Sequence, residues 1–204
     1  MKEANYIDYP KFKPGAKFPV HHGNTVFTPD HDLQLLYWLG EQTTRDIVEI
    51  GCNKGITTAL LADAFMDKTI IGVDCAEVRI RNRAQAVEQP SVTEMGMHAR
   101  NRSNVLLVDC DSAGFSYEAF APDASMIFID GDHTFGGVKL DSERALAFLS
   151  KQPSDWVRII VWHDAFVAEH PTAPWIGVGR YLLSDHHDMD VKFIRNSNVA
   201  FTIL

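Results

Sequence analysis

The sequence predicts an α/β domain with one doubly wound, mostly parallel sheet and helices on both faces. Five short apolar segments alternate with helical patterns between residues 46 and 164, which indicates β-α-β units. Each of these segments has an acidic residue at its end or within two residues of it. Residues 190–204 then form two apolar stretches around a tight Asn-Ser-Asn turn, which favours an antiparallel hairpin at the end of the sheet.

The individual elements follow from local signals. Residues 1–27 carry prolines and glycines without periodicity, so we expect an irregular arm before one domain at 28–204. Thr28 and Pro29 are typical of a helix start, and Gly40 is expected to end that helix. The predicted strands are 46–51, 69–74, 104–109, 124–130 and 157–164, and the predicted helices are 56–65, 76–89, a short one in "SYEAFA", and 138–150.

Composition excludes several classes of protein. The 204 residues are 46% apolar with a formal net charge of −8, which argues against a protein whose main role is binding nucleic acid or an anionic membrane. No apolar run reaches the roughly 18 residues of a membrane span, and the first residues lack the apolar core of a signal peptide. Three cysteines without a zinc-type spacing favour a reducing, cytoplasmic setting with free thiols.

The stretch "VEIGCNKG" places Gly51 at the end of the first predicted strand and Gly55 at the start of the next helix. Such glycines permit a tight turn and close approach of a ligand, although helix–strand packing also explains them. The stretch matches neither the dinucleotide fingerprint nor the P-loop. Asp74 lies 23 residues beyond Gly51, near the spacing of about 20 for a ribose-binding carboxylate; a helix cap is the alternative. An adenosine ligand without a diphosphate, such as S-adenosylmethionine, fits this pattern.

Four segments together resemble the class I S-adenosylmethionine-dependent methyltransferases, in particular the small-molecule O-methyltransferases of the catechol and macrolide-sugar type: "VEIGCNKGITTALLADAF", "IIGVD", "MIFIDGDHTFGGVKLD" and "IIVWHDAF". The resemblance implies a Rossmann-like fold. It also implies that Glu49, Gly51 and Gly55 line the methionine part of the cofactor, that Asp74 binds its ribose, and that Ser112 contacts its adenine. A cap of the following short helix is the alternative for Ser112.

Acidic and imidazole groups follow the fourth and fifth predicted strands. If these strands are neighbours, Asp130 and Asp164 can converge on one ion, and oxygen ligands without cysteine favour Mg²⁺. His163 is then a third ligand or a partner of Asp164, and Asp132 or His133 is the expected base for the acceptor hydroxyl. The alternatives are that Asp130 and Asp164 contact the cofactor or cap helices without a metal, and that His133 is a surface histidine. "WHDAF" also lacks the Asp-Asn pair of the catechol type and the Asp-Asp pair of some sugar methyltransferases.

The acceptor is expected to be a small molecule. An arginine-rich segment suggests an anionic one, although a solvated helix face also explains it: Arg79, Arg81, Arg83, Arg100 and Arg102. The loop 166–179, with Trp175, is a candidate cover over the substrate, and the closing hairpin is a candidate homodimer surface. Asp141 is expected on a solvated helix face.

Two other functions compete with methyl transfer. An apolar strand running into "DGD" also resembles the DxD motif of nucleotide-sugar glycosyltransferases. A non-catalytic cofactor-binding protein on the same scaffold is the second alternative, because fold does not fix function. A dinucleotide oxidoreductase ranks below both because the glycine spacing does not match.

Overall fold

The computed structural model describes residues 2–8, 10, 30–76, 94–165 and 176–204. Its strands, numbered in chain order, are β1 Asn5–Ile7, β2 Asp46–Ile50, β3 Ile70–Asp74, β4 Val105–Asp109, β5 Ala124–Ile129, β6 Ile159–Trp162, β7 Lys192–Ile194 and β8 Ala200–Ile203. Its helices are α1 Asp30–Glu41, α2 Ile56–Ala64, α3 Tyr117–Phe120, α4 Phe135–Leu149 and α5 Ile176–Leu182. The strands form one sheet in the order β1-β7-β8-β6-β5-β2-β3-β4.

The predicted fold class is confirmed. Strands β2 to β6 are mutually parallel where they pair. The predicted hairpin is present, and its second strand, β8, runs antiparallel to both β6 and β7. Because β5 and β6 are neighbours in the sheet, the residues that follow them emerge side by side at one edge.

Helices cover both faces of the sheet, as expected. Alternate residues of the central strands point to opposite sides, which is the two-residue period of a strand. One apolar cluster contains Val48, Ile127 and Trp162 and packs against α4 and α5. The other contains Ile47 and Phe128 and packs against α1 and α2. Burial on both faces explains why these strands read as continuous apolar runs rather than as alternating patterns.

The expectation of an irregular arm is wrong for Asn5–Ile7, which forms the edge strand β1. This strand pairs in parallel with β7, so that Asn5 lies opposite Lys192 and Ile7 opposite Ile194. The backbone N–H of Arg195 also donates to the carbonyl of Ile7 over 3.0 Å. A three-residue strand has no readable periodicity of its own, and it is specified here by a partner almost the whole chain away.

Two further expectations are corrected by packing. Gly40 lies inside α1 rather than ending it, and a Cβ there would be 2.6 Å from the ring of Phe65. Its small size therefore serves the contact between α1 and the end of α2. The expected loop 166–179 is helical from Ile176 onward. Gly177 in α5 packs so closely on the backbone before α4 that a Cβ would lie 2.5 Å from the carbonyl carbon of Thr134.

Several sequence-based expectations lie outside the described residues. These are the helix cap at Thr28 and Pro29, residues 11–27 of the arm, the arginine-rich helix beyond Ala76, and Trp175 with residues 166–174. Among the helices that the structure describes, none has the length and apolarity needed to cross a membrane.

Candidate active site

The carboxyl ends of the parallel strands meet at one rim of the sheet, where α/β folds bind ligands. Asp74 lies there opposite Asp109 in the register of β3 and β4. Asp130 follows β5, and its N–H donates to the carbonyl of Ile50 over 2.8 Å. His163 follows β6, and its N–H donates to the carbonyl of Ile129 over 3.1 Å. The N–H of Gly51 also donates to the carbonyl of Val73 over 2.8 Å, so the ends of all five parallel strands are joined at this rim.

The glycine turn after β2 needs glycine for reasons of backbone geometry. Gly51 has a φ of 92° and Gly55 a φ of 79°, both in the region that favours glycine. A Cβ on Gly51 would lie 2.6 Å from the carbonyl carbon of Asp130. A Cβ on Gly55 would lie 2.8 Å from the Cα of Gly96. Both glycines therefore make close backbone contacts, and a cofactor contact at the same turn stays a prediction.

Asp74 is held in a fixed orientation at the rim. Its Oδ2 accepts the N–H of Asn53 over 2.6 Å, and its Oδ1 accepts the N–H of Cys75 over 2.7 Å. Burial raises the pKa of Asp74, the two N–H donors oppose that rise, and the charges of Asp109 and Asp130 add to it. Because each carboxylate oxygen has a second lone pair, Asp74 can still accept hydrogen bonds from a ligand.

Glu49 lies beneath the turn and is 2% exposed. The hydroxyl of Thr58 in α2 donates to its carboxylate. Burial raises the pKa of Glu49 to about 8; the Thr58 hydrogen bond opposes this, and the charges of Asp130 and Asp74 add to it. Glu49 therefore joins β2 to α2 directly below the predicted cofactor position.

Ser112 begins a short 3₁₀ turn after β4, but it does not cap it. The carboxylate of Asp111 accepts the N–H of Ala113 over 2.9 Å at the start of this turn. The hydroxyl of Ser116 accepts the N–H of Ala119 at the start of α3. The two caps next to Ser112 are thus supplied by other residues, and its adenine contact stays a prediction.

An acid–histidine cluster, formed by Asp130, His133 and Asp164, follows β5 and β6. His133 Nε2 lies 3.4 Å from Asp130 Oδ1 and 3.4 Å from Asp164 Oδ2. The three side chains each offer one ligand atom within 4.8 Å of the others. Two carboxylates and one imidazole at this spacing are a donor set suited to a divalent cation.

His163 contacts the same acids from the protein interior. Its Nδ1 lies 3.2 Å from Asp130 Oδ1 and 3.4 Å from Asp164 Oδ1, and its Nε2 lies 3.4 Å from Asp32 Oδ2. Both nitrogens of the predicted third ligand therefore already face carboxylates. His133 and His163 thus both contact Asp130 and Asp164, and a ligand role for His163 stays a prediction.

The histidines set the charge of this cluster. Burial opposes ionisation of Asp130, but His163 and His133 outweigh it and lower the pKa of Asp130 to about 2. Burial raises the pKa of Asp164, and the Asp130 charge adds to this rise while His163 opposes it. Burial opposes the charge on His133, but Asp130 and Asp164 raise its pKa above the ordinary value. The rim thus holds carboxylate and imidazole charges in direct contact.

Asp164, in the cluster, has an unusual backbone conformation, and Asp132, next to the cluster, makes a structural contact. Asp164 has a φ of 51°, in the left-handed region that glycine favours and that aspartate adopts more often than most other residues. Asp132 instead supports the start of α4, because its Oδ1 accepts the N–H of Thr134 over 2.9 Å. Its carboxylate also packs against Gly137, where a Cβ would lie 2.6 Å from Oδ2. This contact favours His133 over Asp132 as the predicted base.

Comparison with known families identifies the scaffold. A family model described as a methyltransferase domain matches residues 48–165, more than half of the chain. The chain belongs to this methyltransferase family. The matched residues run from β2 to Ala165, so they include the glycine turn, Asp74 and the acid–histidine cluster. None of the proteins of curated function matches the methyltransferase.

Solved structures with the same fold support the assignment. A Staphylococcus aureus protein provisionally named a caffeoyl-CoA O-methyltransferase superposes with a TM-score of 0.58 at 15% identity, over 91% of this chain and 85% of that chain. The O-methyltransferase TomG of Streptomyces achromogenes superposes at 0.52 and 17% identity, over 86% and 79%. A Bacillus cereus O-methyltransferase superposes at 0.51 and 14% identity, over 84% and 79%. At these identities the similarity establishes the fold.

The resemblance to class I methyltransferases is therefore confirmed, and the methyltransferase family replaces the glycosyltransferase alternative.

On the substrate side, two of the predicted arginines have other contacts. Arg102 binds both carboxylate oxygens of Asp63 over 2.7 Å, and Arg100 donates to the carbonyl of Met95 over 2.9 Å. An anionic acceptor thus stays a prediction without support from these two side chains.

Sequence reasoning missed two buried acids of the methyltransferase. Asp32 has no distinguishing local signal, because an acid in the first turn of a helix ordinarily complements the helix dipole. Asp141, expected on a solvated face, is 2% exposed because this face of α4 packs on the sheet, where the neighbouring Ser142 accepts the indole N–H of Trp162 over 2.8 Å. Asp141 and Ser142 lie on the same face of α4 as the buried Val138 and Ala145, because residues three or four apart on a helix are neighbours. This spacing is the sequence signal that indicates their burial.

Proposed function

We propose that this protein transfers a methyl group from S-adenosylmethionine to a hydroxyl of a small molecule, assisted by a divalent cation at the acid–histidine cluster. The observation that carries the proposal is a contact between two parts of the rim. One part is the cofactor half, with Gly51, Gly55 and Asp74, and the other is the acid–histidine cluster. The glycine turn that belongs to the cofactor half packs directly on Asp130 of the cluster. A methyl donor on one side and an acceptor oxygen on the other would therefore meet at this junction.

The cofactor half is supported by an oriented carboxylate and a short turn. Two backbone N–H groups hold Asp74 in place, and hydroxyls of a ribose are the donors that its remaining lone pairs can accept. Gly51 and Gly55 leave room for the methionine part to approach the backbone, with Glu49 beneath them. Ser112, whose neighbours supply the caps of the following helices, is available at the end of β4 for the adenine.

The cluster fits a divalent cation. Asp130 and Asp164 supply the oxygen ligands that Mg²⁺ and Mn²⁺ prefer, and the imidazole of His133 lies beside them as the base rather than as a ligand. When bound, the ion supplies Lewis acidity toward the acceptor oxygen and offsets the carboxylate charges that hold a proton on His133. His163 contributes from the interior by fixing the two acids.

The side chains of the cluster then have separate tasks. Asp130 and Asp164 define where the acceptor hydroxyl lies relative to the cofactor half, which orients its oxygen toward the methyl group. His133 Nε2 accepts the proton that the hydroxyl loses as the new C–O bond forms and the bond from sulfur to the methyl carbon breaks. Asp132 keeps His133 in place through its hydrogen bond at the start of α4.

We also assign the protein to the cytoplasm. Its three cysteines are all free thiols, two of them buried, which fits a reducing compartment.

Calorimetric titration tests the proposed function. The purified protein is titrated with S-adenosylhomocysteine, NAD⁺ and a UDP-sugar, each with and without Mn²⁺. We expect saturable binding of S-adenosylhomocysteine alone, and separate saturable binding of Mn²⁺ that chelation by EDTA reverses. Binding of a UDP-sugar that depends on Mn²⁺, without binding of S-adenosylhomocysteine, would contradict the proposal. Catechols and sugar alcohols with vicinal hydroxyls are the first acceptors to screen with the loaded enzyme.

A further inference from the structure

Asp32 is a fully buried carboxylate beneath the acid–histidine cluster. It lies in the first turn of α1 and is 0% exposed. Its Oδ1 accepts the hydroxyl of Ser197 over 2.5 Å and the N–H of Asn198 over 3.3 Å, both from the turn between β7 and β8. His31 Nε2 lies 3.2 Å from the same oxygen. A buried carboxylate is costly unless it is paired, and these contacts occupy only one of its two oxygens.

The second oxygen of Asp32 faces His163. The separation from Oδ2 to His163 Nε2 is 3.4 Å, and the His163 side chain is only 4% exposed. The opposite ring nitrogen, Nδ1, lies 3.2 Å from Asp130 and 3.4 Å from Asp164. The Oδ2–Nε2 pair lies in ion-pair range without hydrogen-bond geometry. The ring therefore lies between one interior carboxylate and the two carboxylates of the rim.

We infer that Asp32 is a positioning residue for the cation site, acting through His163. Its Oδ2 fixes the imidazole so that Nδ1 donates to Asp130, and this fixes the spacing of Asp130 and Asp164. His163 thereby supports both rim acids. The inference rests on the proposed function, because it assumes that the two rim acids bind a divalent cation. Groups that orient metal ligands in this way typically change metal affinity by about 10–100-fold when removed.

A purely structural role for Asp32 makes a different prediction. An acid in the first turn stabilises a helix wherever it points, and Asp30 in the same turn is also acidic but exposed. The loss of any buried polar contact on β6 also destabilises the fold. Asp30→Ala therefore controls for the helix charge. Ser142→Ala controls for a buried hydrogen bond to β6, because Ser142 binds Trp162, whose indole lies in the α4-side cluster.

The test compares Mn²⁺ affinity, measured by electron paramagnetic resonance, in Asp32→Ala, Asp32→Asn and the two controls. Asparagine can keep the hydrogen bonds from Ser197 and Asn198 while it replaces the acceptor at His163 with an amide donor. We expect Mn²⁺ binding to weaken by about 10–100-fold in Asp32→Ala and by about 10-fold in Asp32→Asn. Both controls should bind Mn²⁺ like the wild type. Folded Asp32→Asn protein that binds Mn²⁺ as tightly as the wild type overturns the inference.

A second readout separates this inference from the proposed function. The imidazole ¹⁵N signals of His163, assigned with His163→Gln, report the hydrogen bonds of its ring in protein without metal. We expect Asp32→Asn to shift these signals and Ser142→Ala to leave them unchanged. If the wild type binds no Mn²⁺, the proposed cation site fails, and the His163 signals alone decide whether Asp32 positions the ring. Unchanged signals in Asp32→Asn overturn the inference in either case.

Discussion

Asp130 packs its carbonyl group directly against Gly51, in the space that a side chain at Gly51 would need. The two residues end adjacent strands, and the N–H of Asp130 donates to the carbonyl of Ile50 over 2.8 Å. The turn predicted to bind the methyl donor and the acid predicted to face the acceptor are therefore one backbone unit. A change at either residue reaches both halves of the rim.

Gly51→Ala tests this contact. Alanine would lie 2.6 Å from the carbonyl carbon of Asp130 at a φ of 92°, so we expect a loss of about 1–3 kcal/mol in the free energy of unfolding. Binding of S-adenosylhomocysteine and of Mn²⁺ should weaken together. Urea unfolding and calorimetry measure these effects. Gly136→Ala is the matched control: it lies in α4 with open space around it, and alanine there should stabilise the protein by about 0.5–1 kcal/mol.

Asp74→Ala tests the ribose contact. It removes a carboxylate that two backbone N–H groups orient at the rim, and hydrogen bonds to charged groups contribute about 1.5–3 kcal/mol. We therefore expect the affinity for S-adenosylhomocysteine to fall by about 10–100-fold in calorimetry.

Asp46→Ala is the control for Asp74. Asp46 also binds a backbone N–H between β2 and β3, that of Thr69 over 2.8 Å, but at the other end of these strands. The Asp46→Ala protein should have a lower free energy of unfolding and the same affinity for S-adenosylhomocysteine as the wild type. Equal affinity losses in both variants would show that Asp74 acts only through folding.

His133 and Asp132 should respond differently to truncation. His133→Ala removes an imidazole that lies 3.4 Å from both acids of the cluster, so Mn²⁺ affinity should fall by about 10-fold. Asp132→Ala removes a hydrogen bond at the start of α4, and its free energy of unfolding should fall by about 1 kcal/mol. Mn²⁺ titration and urea unfolding of both variants separate the two roles. A large loss of Mn²⁺ affinity in Asp132→Ala would mean that Asp132 belongs to the ion site.

Glu49 makes stability depend on pH. Burial raises the pKa of its carboxyl to about 8 in the folded protein, from an ordinary value of 4.5. Between these values the unfolded chain has lost the proton while the folded protein still holds it. The contribution of Glu49 to stability is therefore complete below pH 4.5 and is lost as the pH rises toward 8.

Glu49→Gln should remove this dependence. Glu49 contributes at most about 1.4 kcal/mol per pH unit to the slope of the free energy of unfolding against pH. Urea unfolding from about pH 5 to about pH 8 measures this slope. Glu143→Gln is the control, because Glu143 is exposed and pairs only weakly with Lys139 at 3.8 Å. An unchanged slope in Glu49→Gln would show that Glu49 ionises normally.

The sheet and its rim could be predicted because the signals are local. Apolar runs define each buried parallel strand, and parallel strands end at the same edge. Asp74, Asp130 and Asp164 therefore had to share one rim once the strands were recognised, and the structure has them there. The backbone geometry of the glycine turn follows equally from its position between a strand and a helix.

The interior of the site could not be predicted in this way. Asp32 looks like any acid at a helix start, and its burial depends on Ser197, 165 residues later in the chain. The ring nitrogen of His163 that faces the acids depends on the position of Asp32, and therefore on the contact between Asp32 and Ser197. Gly40 looks like a helix end, but it is required by the ring of Phe65, which approaches from the end of another helix. Each of these features is specified by tertiary packing and leaves no local pattern.

The distance along the chain between Asp32 and Ser197 also has a consequence for how the molecule folds. The hydrogen bond from Asn53 to Asp74 spans 21 residues, whereas that from Ser197 to Asp32 spans 165. Three doublings of loop length correspond to about 2 kcal/mol of additional closure entropy, and β8 must first pair beside β6. We therefore expect the glycine turn, which is predicted to meet the methyl donor, to gain native contacts early in folding, and the contacts of Asp32 that support the acids to form among the last.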